Sequence, residues 1–160
     1  SSGIKKGLVS NKNMETAIKS MSMLNKEAAE LLKNFNPSAV TDISGFGLLG
    51  HLKEVCESSN VTANINFSKL NFLPGTKTLA ESKIIPGGTK RNYQYVKKFC
   101  NFNSNLSLME HLLMSDAQTS GGLLIVLNEK EAYQFIKLYN HKCQLIGSIN
   151  SKQKQLININ

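Results

Sequence analysis

No apolar run in this chain approaches the roughly 20 residues that a bilayer-spanning helix needs, and the N-terminus carries no signal-peptide pattern. A membrane protein is not indicated, and the expected location is the cytoplasm. Cysteine is scarce. Cys56, Cys100 and Cys143 are odd in number and far apart, with no CxxC pair and no Cys/His cluster. That excludes the usual zinc spacings and a secreted disulfide scaffold. None of the three lies beside a His or in a Gly-rich turn, so each is read as a small apolar residue, not a nucleophile. His51, His111 and His141 have no second His at helical spacing, and His51 is expected to be structural, with a satisfied ring. The phosphate loops GxxxxGK[ST] and GxGxxG are absent. Acidic residues are few, 11 against 19 Lys and Arg, for a net charge of +8. The lysines are scattered, without an Arg-rich stripe or an aromatic-basic repeat, so nucleic acid is not the expected partner. A general attraction for an anionic substrate such as a nucleotide fits better.

What is present suits one ordinary domain. The 160 residues are 41% apolar and 19% charged, enough to bury a core without staples. Residues 1–12 read as a lead-in segment, with Ser1, Ser2 and Gly3 open to reading as an expression remnant. Apolar residues at steps of three and four predict a long helix from Met14 to Phe35, capped by Asn13, with the methionines at 14, 21 and 23 in the core. Ala39–Thr41 predicts a short strand, and Phe46–Ser58 a helix with Cys56 on its inner face. Val61–Phe67 alternates as a strand with one wet face. A short helix is expected over Thr76–Ser82 and an irregular Pro-Gly-Gly loop over Ile84–Asn92. Further helices are expected over Ser104–Ser115 and Glu129–Tyr139. A buried strand is expected at Leu123–Leu127. Cys143–Ile149 and Gln155–Ile159 read as closing strands, arranged as a hairpin across Asn150–Lys152. The order lacks a βαβ rhythm and predicts an α+β domain with helices packed on a mixed sheet.

Three short runs are candidates for chemistry. The first is Thr41-Asp42-Ile43-Ser44-Gly45-Phe46-Gly47-Leu48-Leu49-Gly50-His51. A carboxylate at a strand end before glycines suits Mg²⁺, which takes one or two carboxylates plus substrate phosphates. Gly45 and Gly47 permit positive φ and close approach, and the following helix points its free N–H groups at the same spot. The alternative is that Asp42 or Ser44 only caps that helix. The second run, Pro86-Gly87-Gly88-Thr89-Lys90-Arg91-Asn92, reads equally as an anion nest or as a rigid surface turn. The third, Asp116-Ala117-Gln118-Thr119-Ser120-Gly121-Gly122, leads into a buried strand. Its polar groups either satisfy the junction or face a partner domain.

Together these runs resemble the C-terminal domain of the selenophosphate synthetase (selenide, water dikinase) family, which carries TD[IV]TGFGLLGH, PGGTxRN and DPQTSGGLL in this order. The nine fixed positions of the first run match by chance with a probability on the order of 10⁻¹¹ per start site. The resemblance extends to the GIKKGL lead-in and the MxxLNKEAAELL helix. Ser44 replaces the usual Thr and keeps the hydroxyl; Ala117 replaces the usual Pro.

The resemblance implies the PurM-like (aminoimidazole ribonucleotide synthetase) superfamily fold. It implies an enzyme that makes selenophosphate, AMP and phosphate from ATP, selenide and water for selenocysteine biosynthesis. Residues 1–160 would be one C-terminal domain, inactive without an N-terminal domain that holds the catalytic residue and most of the ATP and Mg²⁺ ligands. That domain would also build a homodimer. Asp42 would be this domain's metal ligand. Thr41, Ser44, Gly45, Gly47, Gly87, Gly88, Thr89, Asn92, Gln118, Thr119, Ser120 and Gly121 would line or brace an ATP cleft or domain interface. Another ATP-dependent enzyme of the superfamily, or a non-catalytic binding module, are the alternatives.

Overall fold

Two sheets and their covering helices make up the computed structural model, which describes residues 2–160; Ser1, part of the expected lead-in, lies outside the described residues. The strands are β1 (Ala39–Asp42), β2 (Val61–Ile65), β3 (Cys100–Phe102), β4 (Leu123–Val126), β5 (Gly147–Ser151) and β6 (Ile157–Ile159). The helices are α1 (Ser2–Lys5), α2 (Asn11–Ser22), α3 (Lys26–Leu32), α4 (Gly47–Ser58), α5 (Thr76–Glu81), α6 (Gly87–Val96), α7 (Leu108–Met114) and α8 (Glu129–Leu138). β1 and β4 form an antiparallel ribbon in which Asp42 pairs with Leu123. The other sheet runs β3-β6-β2-β5. Its β6 is parallel to both β2 and β3, and β5 is antiparallel to β2. The α+β architecture with a mixed sheet agrees with the pattern-based expectation.

One face of the four-stranded sheet carries the core. Ala63, Ile65, Cys100, Ile157 and Ile159 pack against Leu49, Leu52 and Cys56 of α4, Val96 of α6 and Met114 of α7. The opposite face is polar. Asn101 donates to Asn158, Asn158 to Asn64, and Asn64 to Asn150 at 3.1–3.4 Å, a carboxamide ladder across all four strands. The period-2 alternation of side chains puts the two sets on opposite faces. A smaller core joins α3, α8 and β4 through Ala28, Leu32, Phe35 and Phe135, with Phe35 edge-on to Phe135 at 5.4 Å.

Several expectations need correction. The long 14–35 helix divides into α2 and α3 at Met23–Asn25. Asn25 stands at the N-cap of α3, but its amide donates to the Gly121 carbonyl at 3.1 Å. This tertiary bond holds the break that periodicity misses. The cap of α2 is Ser10, whose hydroxyl accepts from the Asn13 amide. No residue of α2 is fully buried, and Met23 and Leu24 are exposed, so the methionines are not a core stripe. The 104–115 helix begins at Leu108 because Ser107 and Glu110 form a reciprocal capping box. β3 follows a 3-10 turn and is too short to leave a pattern.

The closing hairpin does not form. β5 and β6 flank β2 on opposite sides, and the link between them arches over its start. Thr62, with no exposed surface, secures that arch: its hydroxyl donates to the Gln155 carbonyl and accepts from the Gln153 amide, both at 2.9 Å. β5 lies so close to β2 that a Cβ on Gly147 would fall 2.1 Å from the Asn64 carbonyl oxygen.

His111 on α7 stacks on Phe102 at 3.8 Å between ring centroids and faces Tyr93 at 5.9 Å. Both of its ring nitrogens are buried without a hydrogen-bond partner. Burial pulls its pKa below the ordinary histidine value, against the weaker pulls of neighbouring Glu110 and of the Leu106 backbone, which lies near the ring but makes no well-formed hydrogen bond to it. As pH falls through about 6.5 the unfolded chain takes up a proton that the folded chain refuses, so stability falls with pH. His111→Phe keeps the stack and removes the orphaned nitrogens. It should raise unfolding free energy by roughly 1 kcal/mol at neutral pH, and by more near pH 5. Urea melts of both proteins check this; a destabilised or pH-indifferent variant contradicts it.

Candidate functional site

The three runs, far apart in the chain, converge on one loop. Asp42 ends β1 with its side chain exposed. Pairing then continues past the strand: Ile43 N–H donates to the Gly122 carbonyl at 2.9 Å, and its own carbonyl accepts from Gly121 N–H at 3.0 Å. A Cβ on Gly121 would sit 2.3 Å from the Ile43 oxygen, so only glycine permits this approach. One residue on, the Ser44 carbonyl accepts from both Gly47 N–H and Gln118 N–H at 3.0 Å. Gly47 has φ +70°, and a Cβ there would meet the Asp116 carbonyl oxygen at 2.6 Å. Its freedom therefore serves contact within this domain. Gly45 has open space around its Cα and does not adopt positive φ. Ser120 does, at +52°, the kind of backbone strain that packing must hold in place.

The capping alternative for Asp42 and Ser44 fails. The N-cap of α4 is Phe46, and no side chain caps that helix. Ser44 is engaged elsewhere. Its amide donates to His51 Nε2 at 3.1 Å, and its hydroxyl lies 3.2 Å from the same nitrogen. Because an amide can only donate, Nε2 is the bare nitrogen and the ring proton sits on Nδ1. Nδ1 faces Glu54 at 3.6 Å, and Phe46 stands edge-on to the ring. His51 is thus a buried, satisfied structural residue that braces the Asp42 loop, as its isolated position in the sequence suggested.

The Pro86–Asn92 run is not an irregular loop or a surface turn. It is the start of α6, with Pro86 at the N-cap. Glycines at helix positions one and two conceal this, since they carry the poorest propensity after proline. Neither meets a close neighbour: the nearest atoms to a built Cβ are 3.4 Å away at Gly87 and 3.6 Å at Gly88. Two side chains of this helix reach the other runs. Thr89, 2% exposed, donates a short hydrogen bond to the Asp116 carboxylate. Asn92 donates to the Gly45 carbonyl at 2.9 Å and to the Ser115 carbonyl at 3.1 Å. Sequence reasoning placed both residues at the site but not these bonds; nothing in local periodicity signals a partner 23 to 47 residues away.

Asp116 is the titratable group that the site perturbs. Burial pushes its carboxyl up, while the hydrogen bonds from Thr89 and then Gln118 pull it down. Gln118 also donates to the Asp116 backbone carbonyl at 3.2 Å. Beneath this segment lies a cavity of about 390 Å³. Thr89, Asp116, Gln118, Thr119, Ser120 and Gly121 contribute to its wall, together with Ile43, Leu48 and apolar residues of α2, α5 and the 70–74 segment. Thr41, Asp42, Ser44, Gly45, Gly47, Gly87, Gly88 and Asn92 lie outside it.

Among the described residues no three His, Cys, Asp or Glu side chains cluster to hold a metal. Asp42 stands as one exposed carboxylate, a donor set that fits a share of a magnesium shell, not a whole one. Among the described residues no Lys or Arg lines the cavity, so this wall does not fit a polyphosphate. The cysteines are free thiols, and burial pushes Cys100 up to about 12, which leaves it unreactive at neutral pH.

Thr89→Val should destabilise the protein by roughly 1–3 kcal/mol at neutral pH, because it strips a buried carboxylate of a donor. The hydroxyl's hydrogen bond favours the ionised form of Asp116 against burial, which holds the carboxyl above its ordinary value. The deficit should therefore shrink as pH falls and the carboxyl takes up a proton. Denaturant midpoints at neutral and acid pH check this; an equal deficit contradicts it.

Residues 2–159 match the family described as AIR synthase related protein, C-terminal domain. The chain is 35% identical over 158 residues to the selenide, water dikinase of Campylobacter jejuni, covering 96% of this chain and 45% of that protein. It is 39% identical over 143 residues to that of Caldanaerobacter subterraneus, covering 86% and 41%. With the Clostridioides difficile protein of the same name it shares 34% over 160 residues, covering 98% and 46%. The chain thus spans less than half the length of these curated relatives. The family match over nearly every residue, and an α+β fold in which the three runs meet at one loop, establish that this chain belongs to the AIR synthase related protein family as a C-terminal domain.

Proposed function

We propose that the chain is the C-terminal domain of a selenide, water dikinase. The intact enzyme would make selenophosphate, AMP and phosphate from ATP, selenide and water, supplying selenocysteine biosynthesis in the cytoplasm. Residues 1–160 form one domain of it and work against the enzyme's own N-terminal domain, within a homodimer. The observation that carries this reading is the convergence of the three runs on the Asp42 loop, in a chain whose relatives bear that name.

The roles rest on the resemblance, and the geometry supports them. Asp42 is the carboxylate this domain contributes to Mg²⁺. It is exposed, ends a paired strand, and does not cap the helix after it. When bound, the metal neutralises charge on transferring phosphoryl groups, which with positioning is most of the catalysis in such reactions. The chain's own contribution is to hold Asp42 still. The Ile43 pairing and the Ser44–His51 contact do this. Gly45, three residues after Asp42, leaves open space where its side chain would be, which suits the approach of a polyphosphate or the other domain. The N-terminal domain supplies the cations and remaining ligands that this domain does not gather around Asp42. Thr119, Ser120 and Gly121 line the inner side of the cleft, and Gly87, Gly88 and Thr89 brace it from α6.

In the full-length protein, Asp42→Asn should lower selenide-dependent AMP formation by about 100-fold. The unfolding midpoint should stay put, because the side chain is exposed. Near-normal turnover in that variant would remove Asp42 from the metal.

A further inference from the structure

Asn92 occupies an unusual place among the site residues. Its carboxamide NH₂ has two protons, and both go to backbone carbonyls remote from each other in the chain, Gly45 of the first run at 2.9 Å and Ser115 at the end of α7 at 3.1 Å. The orientation of the amide is dictated, since a flipped group would point its oxygen at two other oxygens. It binds three pieces of chain at once: the second turn of α6, the turn after Asp42, and the end of α7 where the Asp116 segment departs.

The turn needs this bond. Gly45 is exposed, and a Cβ built on it has no atom within 4 Å. Phe46, next to it, is 55% exposed. On the inner side the loop is held at Ser44 by Gln118 N–H and by His51. On the outer side Asn92 supplies the tie. The open space at Gly45 and the carboxylate three residues earlier are useful only if their separation is fixed.

We infer that Asn92 is a positioning residue for the Asp42 loop, setting the loop's stance for Mg²⁺ and phosphate without touching either. This rests on the metal role proposed for Asp42. Neither Ala nor Asp at this position replaces it: Ala leaves the two carbonyls without their donor, and Asp sets a carboxylate against them.

The test uses the full-length protein with Asn92→Ala and Asn92→Gln. In Asn92→Ala, the Mg²⁺ concentration giving half-maximal turnover should rise about tenfold. Turnover at saturating Mg²⁺ should stay within about twofold of the parent, a split that general loss of structure does not produce. Asn92→Gln keeps both protons one methylene further out and should fall between Ala and the parent. Independently of activity, hydrogen exchange should quicken about tenfold at the Gly47 and Gln118 amides, which share the Ser44 carbonyl. It should not change at Ala63 in the core.

Unchanged exchange at Gly47 and Gln118 would overturn the inference, and so would quickened exchange with unmoved Mg²⁺ dependence. If Asn92→Ala does not fold, Asn92→Gln decides by the same two readouts. Asp42→Asn run alongside separates the two ideas. A dead Asp42→Asn with a normal Asn92→Ala overturns the positioning role alone. An Asp42→Asn enzyme with normal Mg²⁺ dependence overturns the metal role, and the inference with it.

Discussion

The paired hydrogen bonds between Ile43 and the Gly121–Gly122 step, 2.9 and 3.0 Å long, hold the site together. They extend the β1–β4 ribbon beyond the last strand residue and so fix where Asp42 ends up. The approach tolerates no side chain on Gly121. The same glycine's carbonyl accepts from Asn25 and ties in the start of α3. Around this point the other contacts close in order: Gln118 on Ser44, Asp116 beneath Gly47, and Thr89 on Asp116. Each closure joins segments remote in sequence, so each costs loop entropy that local structure cannot repay. The two hydrophobic cores on either side supply the free energy that holds the arrangement.

The two sides of the domain then differ in job. The four-stranded sheet with α4, α6 and α7 is a closed core with a carboxamide face outward. The β1–β4 ribbon with α3 and α8 is smaller, and all four β4 residues are only half-buried. The candidate residues sit at the seam, carried by α4 and α6 from one side and by the ribbon from the other. A site at a seam is held by rigid elements while keeping an open face, which suits a domain that completes a cleft instead of forming one alone.

Much of this was legible in the sequence where side-chain periodicity and burial agree. α4, α5 and α8, β1 and β4 lie within a residue or so of expectation, because each shows its own inner face. Legibility ended where tertiary bonds override local preference. Asn25 breaks a helix whose apolar steps run on without interruption. Thr62 carries the chain over β2, where proximity in sequence suggested a hairpin. Gly87 and Gly88 open a helix because Thr89 and Asn92 are anchored elsewhere. At the candidate site, the residues were identifiable from the three runs and the chemistry of a carboxylate before glycines. Their mutual bonds were not, since Asn92 to Gly45 and Thr89 to Asp116 have no local signature. The choice between capping and a free carboxylate at Asp42 stayed open until the N-cap of α4 proved to be Phe46.

In the function proposed, this domain completes a cleft for ATP-driven chemistry on selenide that it does not carry out alone. Phosphorus NMR of the full-length protein with Mg-ATP, with and without selenide, beside the 160-residue chain, tests it most directly. Selenide-dependent AMP and selenophosphate from the full-length protein, and none from the domain, is the expected result. ATP turnover indifferent to selenide would contradict it and assign the Asp42 loop to a different acceptor.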